Sequence, residues 1–148
     1  MPHTYSRLLY HLVFSTKNRF PFIKESRQSQ IYDYMGGTIR GLDGSLVEFG
    51  GIEDHAHLCV GLKPTMSISK FVQDLKPAVT NWARELINPK FEWQDGYGAF
   101  TVSNSQLPNV VDYLNNQKRH HQKMAFDDEF VRLLNLNGVE FDPRYLWK

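Results

Sequence analysis

Residues 53–62, Glu-Asp-His-Ala-His-Leu-Cys-Val-Gly-Leu, constrain the fold more than any other stretch. Side chains alternate between the two faces of a β-strand. Ala56, Leu58, Val60 and Leu62 therefore form an apolar row on one face. His55 and His57 stand together on the other, roughly 6.5–7 Å apart along the strand. The apolar row requires a layer packed against it, and the histidines look away from that layer. Two imidazoles so placed can hold a metal, grip a phosphate, or simply be hydrogen-bonded within the sheet. The motif alone does not choose among these.

The remaining chain supplies the sheet and the layer. Tyr5 to Ser15 is almost continuously apolar and aromatic, as suits a central strand buried on both faces, with His11 interrupting it. A basic loop with Lys17 and Arg19 follows. Ile31, Tyr34, Met35, Thr38, Ile39 and Leu42 keep helical spacing and predict a helix over 25–42. Gly36-Gly37 either weakens it or admits a close approach. Asp43-Gly44 marks a turn, and 45–51 reads as a strand in an antiparallel hairpin with the histidine strand.

Ser67 is a good N-cap for a second helix through Leu86, which Pro77 is expected to kink or split. Lys70, Lys76 and Arg84 are expected on its outer surface. An aromatic, glycine-rich stretch leads to a short strand over 99–103. Ser105 caps a third helix to about His121, with Pro108 in its first turn. A short amphipathic helix over 127–136 and an aromatic tail over 141–147 complete the chain. That tail is expected to pack on the domain or on a partner subunit.

The order β-α-β-β-α-β-α-α places the chain in the α+β class. Its first six elements match the ferredoxin-like split βαβ arrangement, an antiparallel sheet with helices on one face. The other face, open in this arrangement, would carry His55 and His57, and C-terminal helices are appended. The 148 residues show neither repeat nor linker, so a single domain over 1–148 is expected.

Bulk properties exclude several classes. A net charge of +1 means that any nucleic-acid contact must come from local patches. The lone Cys59 excludes a disulfide framework and a cysteine-based zinc site, and fits a reducing compartment. The start, Met1-Pro2-His3-Thr4-Tyr5, lacks the regions of a signal peptide, and no apolar run is of membrane-spanning length. A cytoplasmic protein is the expectation.

The third helix supplies partners for the histidines. On a helical wheel Leu107, Val110, Val111 and Leu114 make a core stripe, flanked by Asn109, Tyr113, Asn116, Gln117 and His120. Tyr113 and Gln117 are one turn apart, about 6 Å along the axis. Two histidines and a glutamine carbonyl could hold one divalent ion acting as a Lewis acid on phosphate oxygen, and a nearby tyrosine could attack the phosphorus. Imidazole ligands favour Mn²⁺, while Mg²⁺ stays acceptable if oxygens fill the other positions. An amphipathic tyrosine at a core boundary explains Tyr113 equally well from pattern alone.

Taken together, these motifs resemble the single-tyrosine HUH transposases of bacterial insertion sequences, in particular the tyrosine transposases associated with repeated extragenic palindromes. The likeness runs through Tyr10–Lys17, Gly51–Leu58, Trp93–Ser103, Tyr113–His121 and Phe141–Trp147. It implies that His55 and His57 are the HUH pair, with Ala56 small for the slot between them. It implies Tyr113 as nucleophile and Gln117 as third metal ligand, with Mg²⁺ or Mn²⁺ as cofactor. The implied reaction cleaves single-stranded DNA beside hairpins through a 5′-phosphotyrosine, and the reverse attack rejoins strands. A homodimer is implied, with the tyrosine helix able to serve the partner's site; a monomer is the alternative. Lys17, Arg19, Lys76 and Arg119, with Trp93 and Tyr97 as stacking platforms, are the candidate DNA contacts. A hairpin-DNA-binding module without cleavage and a histidine-dependent phosphodiesterase are the competing functions.

Overall fold

A computed structural model describes residues 3–147. Met1 and Pro2, where the reading for a leader begins, lie outside the described residues. Four antiparallel strands, β1 (Leu8–Ser15), β2 (Ser45–Ile52), β3 (His55–Leu62) and β4 (Gly98–Val102), lie in the order β2-β3-β1-β4. The apolar strand β1 is indeed central, pairing with β3 on one side and β4 on the other. Helices α1 (Gln28–Gly41) and α2 (Ile68–Leu86) cover one face. Leu12, Phe14, Ala56, Leu58 and Val60 meet Ile31, Met35, Ile39, Phe71, Leu75 and Val79 there in a closed core. This is the predicted α+β arrangement.

Three local expectations are revised. Ser67 does cap α2, accepting from the Lys70 amide, but α2 continues through Pro77 as one helix. The third helix breaks at Asn116 into α3 (Leu107–Asn115) and α4 (Gln117–His120), and a 3₁₀ turn over Asn104–Gln106 precedes it in place of a Ser105 cap. The second sheet face is not open. Helices α3, α4 and α5 (Phe126–Leu136) cover it, and a second apolar cluster of Val13, Phe100, Phe126, Leu133 and Leu134 seals α5 to it. The aromatic tail packs on this cluster, with Trp147 against Phe126 and Phe130 at 6.0 and 5.7 Å between ring centroids. No helix among the described residues is long and apolar enough to cross a membrane.

The covering helices can approach because β2 has no side chain where they cross it. A Cβ on Gly50 would lie 2.0 Å from the Leu114 carbonyl oxygen of α3. Gly50 is also the register partner of His57. The close approach allowed by glycine therefore falls under the third helix. At Gly36 and Gly37, by contrast, a Cβ would meet only ordinary contacts.

Candidate metal and nucleophile site

His55 and His57 lie where alternation places them, on the face away from α1 and α2, and both are fully buried by α3–α5. The break at Asn116 turns Gln117 inward, where it is also buried. Gln117 Oε1 lies 3.2 Å from His55 Nε2 and 3.0 Å from His121 Nε2. Helix α5 adds Glu129, whose Oε1 lies 3.1 Å from His57 Nε2, 2.9 Å from His121 Nε2 and 3.5 Å from His55 Nε2. One ligand atom each from His55, His57, His121 and Glu129 falls within 4.8 Å of the others. The Tyr113 hydroxyl donates to Glu129 Oε2, and its ring stands 5.7 Å from that of His57. All of these groups come from one chain.

Neighbouring groups fix the ring orientations. His55 Nδ1 lies 2.7 Å from Asp54 Oδ1, a carboxylate that only accepts, so Nδ1 carries the proton. In the ligating tautomer the ring would present the Nε2 lone pair to the oxygens of Gln117 and Glu129. Acceptor facing acceptor is unfavourable unless a cation sits between them, so the donor set fits a divalent ion. His57 Nδ1 lies 2.8 Å from His11 Nε2. With a metal bound and His11 as acceptor, His57 would turn an Nε2 lone pair to the centre in place of the hydrogen bond it makes to Glu129 here. His11 thereby gains a supporting role that the sequence reading left open.

Electrostatics follow from burial. Desolvation, aided by the charge His57 would carry, lowers His11 to about 3. Desolvation also lowers His57 to about 4, although its hydrogen bond to Glu129 pulls upward. Both rings are neutral at ordinary pH, as ligation and its support require. Burial would raise Glu129, but hydrogen bonds from His121 and His57 more than offset it and hold the carboxyl far below its usual range. Burial would lower His121, but Glu129 more than reverses that and leaves it raised. Burial and then Glu129 raise the Tyr113 phenol.

These shifts predict acid sensitivity of the metal-free protein. His11 and His57 charge at about 6.5 when unfolded and at about 3 and 4 when folded. The unfolded state therefore binds more protons between those values, and stability falls as pH drops from 6.5 toward 4. Urea unfolding at a series of pH values should show uptake of up to about two protons near pH 5. His11→Phe should remove about one of them.

The predicted DNA contacts separate into two groups. Lys76 is not a surface cation: its Nζ donates to the Gln94 and Gly96 carbonyls, both at 2.8 Å, and lies over the Phe14 ring. Arg84 likewise holds the Phe91 carbonyl. Arg19 pairs with Asp127 at 3.1 Å and covers the Trp147 ring. Trp93 is buried against Phe14 and Phe91 and offers no stacking face. Arg119 is exposed, Lys17 is half-buried and Tyr97 is 37% exposed, so these three remain available.

The family model for IS200-like transposases matches residues 4–117. The chain belongs to the IS200-like transposase family. A transposase role follows from that membership. The matched span includes His55, His57, Tyr113 and Gln117 but ends before His121 and Glu129. No curated protein matches this transposase. Two solved structures share its fold. One, from Deinococcus radiodurans R1 and provisionally assigned as a transposase, has a TM-score of 0.64 at 24% identity, over 78% of this chain and 94% of its own. The other, a REP-associated tyrosine transposase bound to a REP hairpin, has a TM-score of 0.62 at 16% identity, over 80% of this chain and 72% of its own.

Proposed function

We propose that this transposase cleaves and rejoins single-stranded DNA beside a hairpin, with Tyr113 as nucleophile and a divalent-metal centre built from His55, His57, Gln117, His121 and Glu129. The hairpin part of this reading is supported by the structural neighbour bound to a REP hairpin. The observation that carries the chemistry is the shared carboxylate. Glu129 reaches His57 and His121 with one oxygen and the Tyr113 hydroxyl with the other. A nucleophile and a set of metal donors so joined serve one reaction at one phosphate.

Tyr113 Oη forms the new bond to phosphorus as the bond to the 3′ oxygen breaks. The phenolic proton passes through Glu129 Oε2, already its hydrogen-bond acceptor, to the departing 3′ oxygen, so the carboxylate relays it and ends ionised. The upstream strand leaves with a 3′-hydroxyl, and the downstream strand stays attached through its 5′-phosphate. A 3′-hydroxyl attacking that phosphotyrosine reverses the step and joins strands, with the phenol recovering its proton. Mg²⁺ or Mn²⁺ bound to the five donors would supply Lewis-acid stabilisation of the phosphate oxygens. Asp54 and His11 orient the two HUH histidines.

Incubation with single-stranded hairpin oligonucleotides and Mn²⁺, followed by a denaturing gel, tests this. A covalent protein–DNA band is expected that Tyr113→Phe abolishes, because phenylalanine keeps the ring and removes the nucleophile. Cleavage without a covalent band would favour a phosphodiesterase, and binding without cleavage a hairpin-holding module.

A further inference from the structure

Tyr113 also lines a cleft that the proton and metal chemistry leaves unused. It measures about 290 Å³ and lies between β4, α3 and α5. His11, Phe100 and Tyr113 form part of its wall, with Val110 and Leu136 as aliphatic sides and Arg132 among the residues lining it. Leu136, 70% exposed, stands at the mouth of the cleft. Arg132 is exposed and has no hydrogen-bond or ion-pair partner among the described residues. Its charge nevertheless reaches the Tyr113 hydroxyl and opposes the upward shift there.

We propose that this cleft is a nucleotide subsite: it takes one nucleoside directly bonded to the scissile phosphate, and Arg132 binds that phosphate. The proposal rests on the strand-cleaving reading of the site. An apolar slot bounded by aromatic and aliphatic side chains suits a base, which every nucleotide offers as a flat π-face. A guanidinium suits phosphate because its planar fork can donate two hydrogen bonds to the non-bridging oxygens. The volume lies near the lower end of known ligand sites, roughly 300 Å³ and upward, which fits a single nucleoside. With Tyr113 itself in the wall of the cleft, a nucleoside bound there lies beside the nucleophile. Arg132 lies beyond residue 117, so the family-matched segment does not supply it.

Arg132→Gln tests the phosphate contact, with Lys63→Gln as a control beyond the far end of β3. In a Tyr113→Phe background, which binds without reacting, Arg132→Gln should weaken binding of a cleavable hairpin oligonucleotide. It should also reduce the slope of log affinity against log salt by about 0.7, the loss of one single-strand phosphate contact. With Tyr113 present, covalent-adduct formation should fall roughly tenfold, and Lys63→Gln should change neither quantity. An abasic residue on one side of the cut should lower binding, and that loss should shrink when Leu136→Trp fills the cleft mouth. Unchanged slope and yield in Arg132→Gln, or no abasic effect on either side, overturns the subsite while leaving the nucleophile assignment intact. Absence of any adduct in the unaltered protein removes that assignment and this proposal together.

Discussion

Replacing Glu129 by glutamine should reduce Mn²⁺ affinity by about 100-fold and nearly abolish the covalent protein–DNA band. Loss of groups that merely support metal ligands typically costs 10–100-fold in affinity or activity, and Glu129 contributes the only carboxylate among the five donors. Its charge also balances the raised His121. Glutamine preserves the shape and can still accept one hydrogen bond, so the metal-free fold should lose only about 1–2 kcal/mol. Calorimetric titration with Mn²⁺, urea unfolding and the denaturing gel separate these effects. Unchanged Mn²⁺ affinity with a lost adduct would remove Glu129 from the ligand set and leave it as the partner of Tyr113. Unchanged affinity and adduct together would sink both roles.

Glu129 also shows where a sequence stops being legible. The sheet order and the burial of Ala56, Leu58 and Val60 follow from periodicity, because each strand's pattern reports its own faces. His55, His57, Tyr113 and Gln117, which the structure brings together, were singled out from the histidine pair, the one-turn spacing and the family likeness. Glu129 was missed among three consecutive acids at the start of α5, a segment read only as a short amphipathic helix. One signal did separate it. Phe126, Glu129, Phe130, Leu133 and Leu134 share the apolar stripe of α5, so Glu129 is a carboxylate on a buried face. His121 was hidden differently. The wheel put His120 on the stripe with Tyr113 and Gln117, whereas in the structure His121, one turn from Gln117, reaches Glu129 at 2.9 Å and His120 is left 24% exposed. Lys76 was misplaced because helix periodicity cannot reveal that the 91–98 stretch folds back and places two carbonyls beside its ammonium.

Gly50→Ala should be the most damaging single-methyl change outside the reacting groups, with adduct formation falling about 100-fold and stability by about 1–3 kcal/mol. The new Cβ would sit 2.0 Å from the Leu114 oxygen and 2.7 Å from its carbonyl carbon. Both are backbone atoms, so no side chain can swing aside; α3 itself must lift. Tyr113 adjoins Leu114, and Gly50 lies directly across the register from His57, so the lift separates nucleophile from histidines. Of the five donors, His55, His57 and Glu129 are carried on other elements, and Gln117 and His121 follow α3 only beyond the break at Asn116. Mn²⁺ affinity should therefore fall much less than adduct yield, a split that general unfolding would not produce. Gly37→Ala is the matched control. Gly37 is exposed within α1, and its Cβ would meet only the end of the Arg40 side chain at 3.7 Å. That change should be neutral or stabilise by about 0.4–1 kcal/mol. Gly50→Ala with wild-type adduct yield would show that contact between β2 and α3 does not set the position of Tyr113.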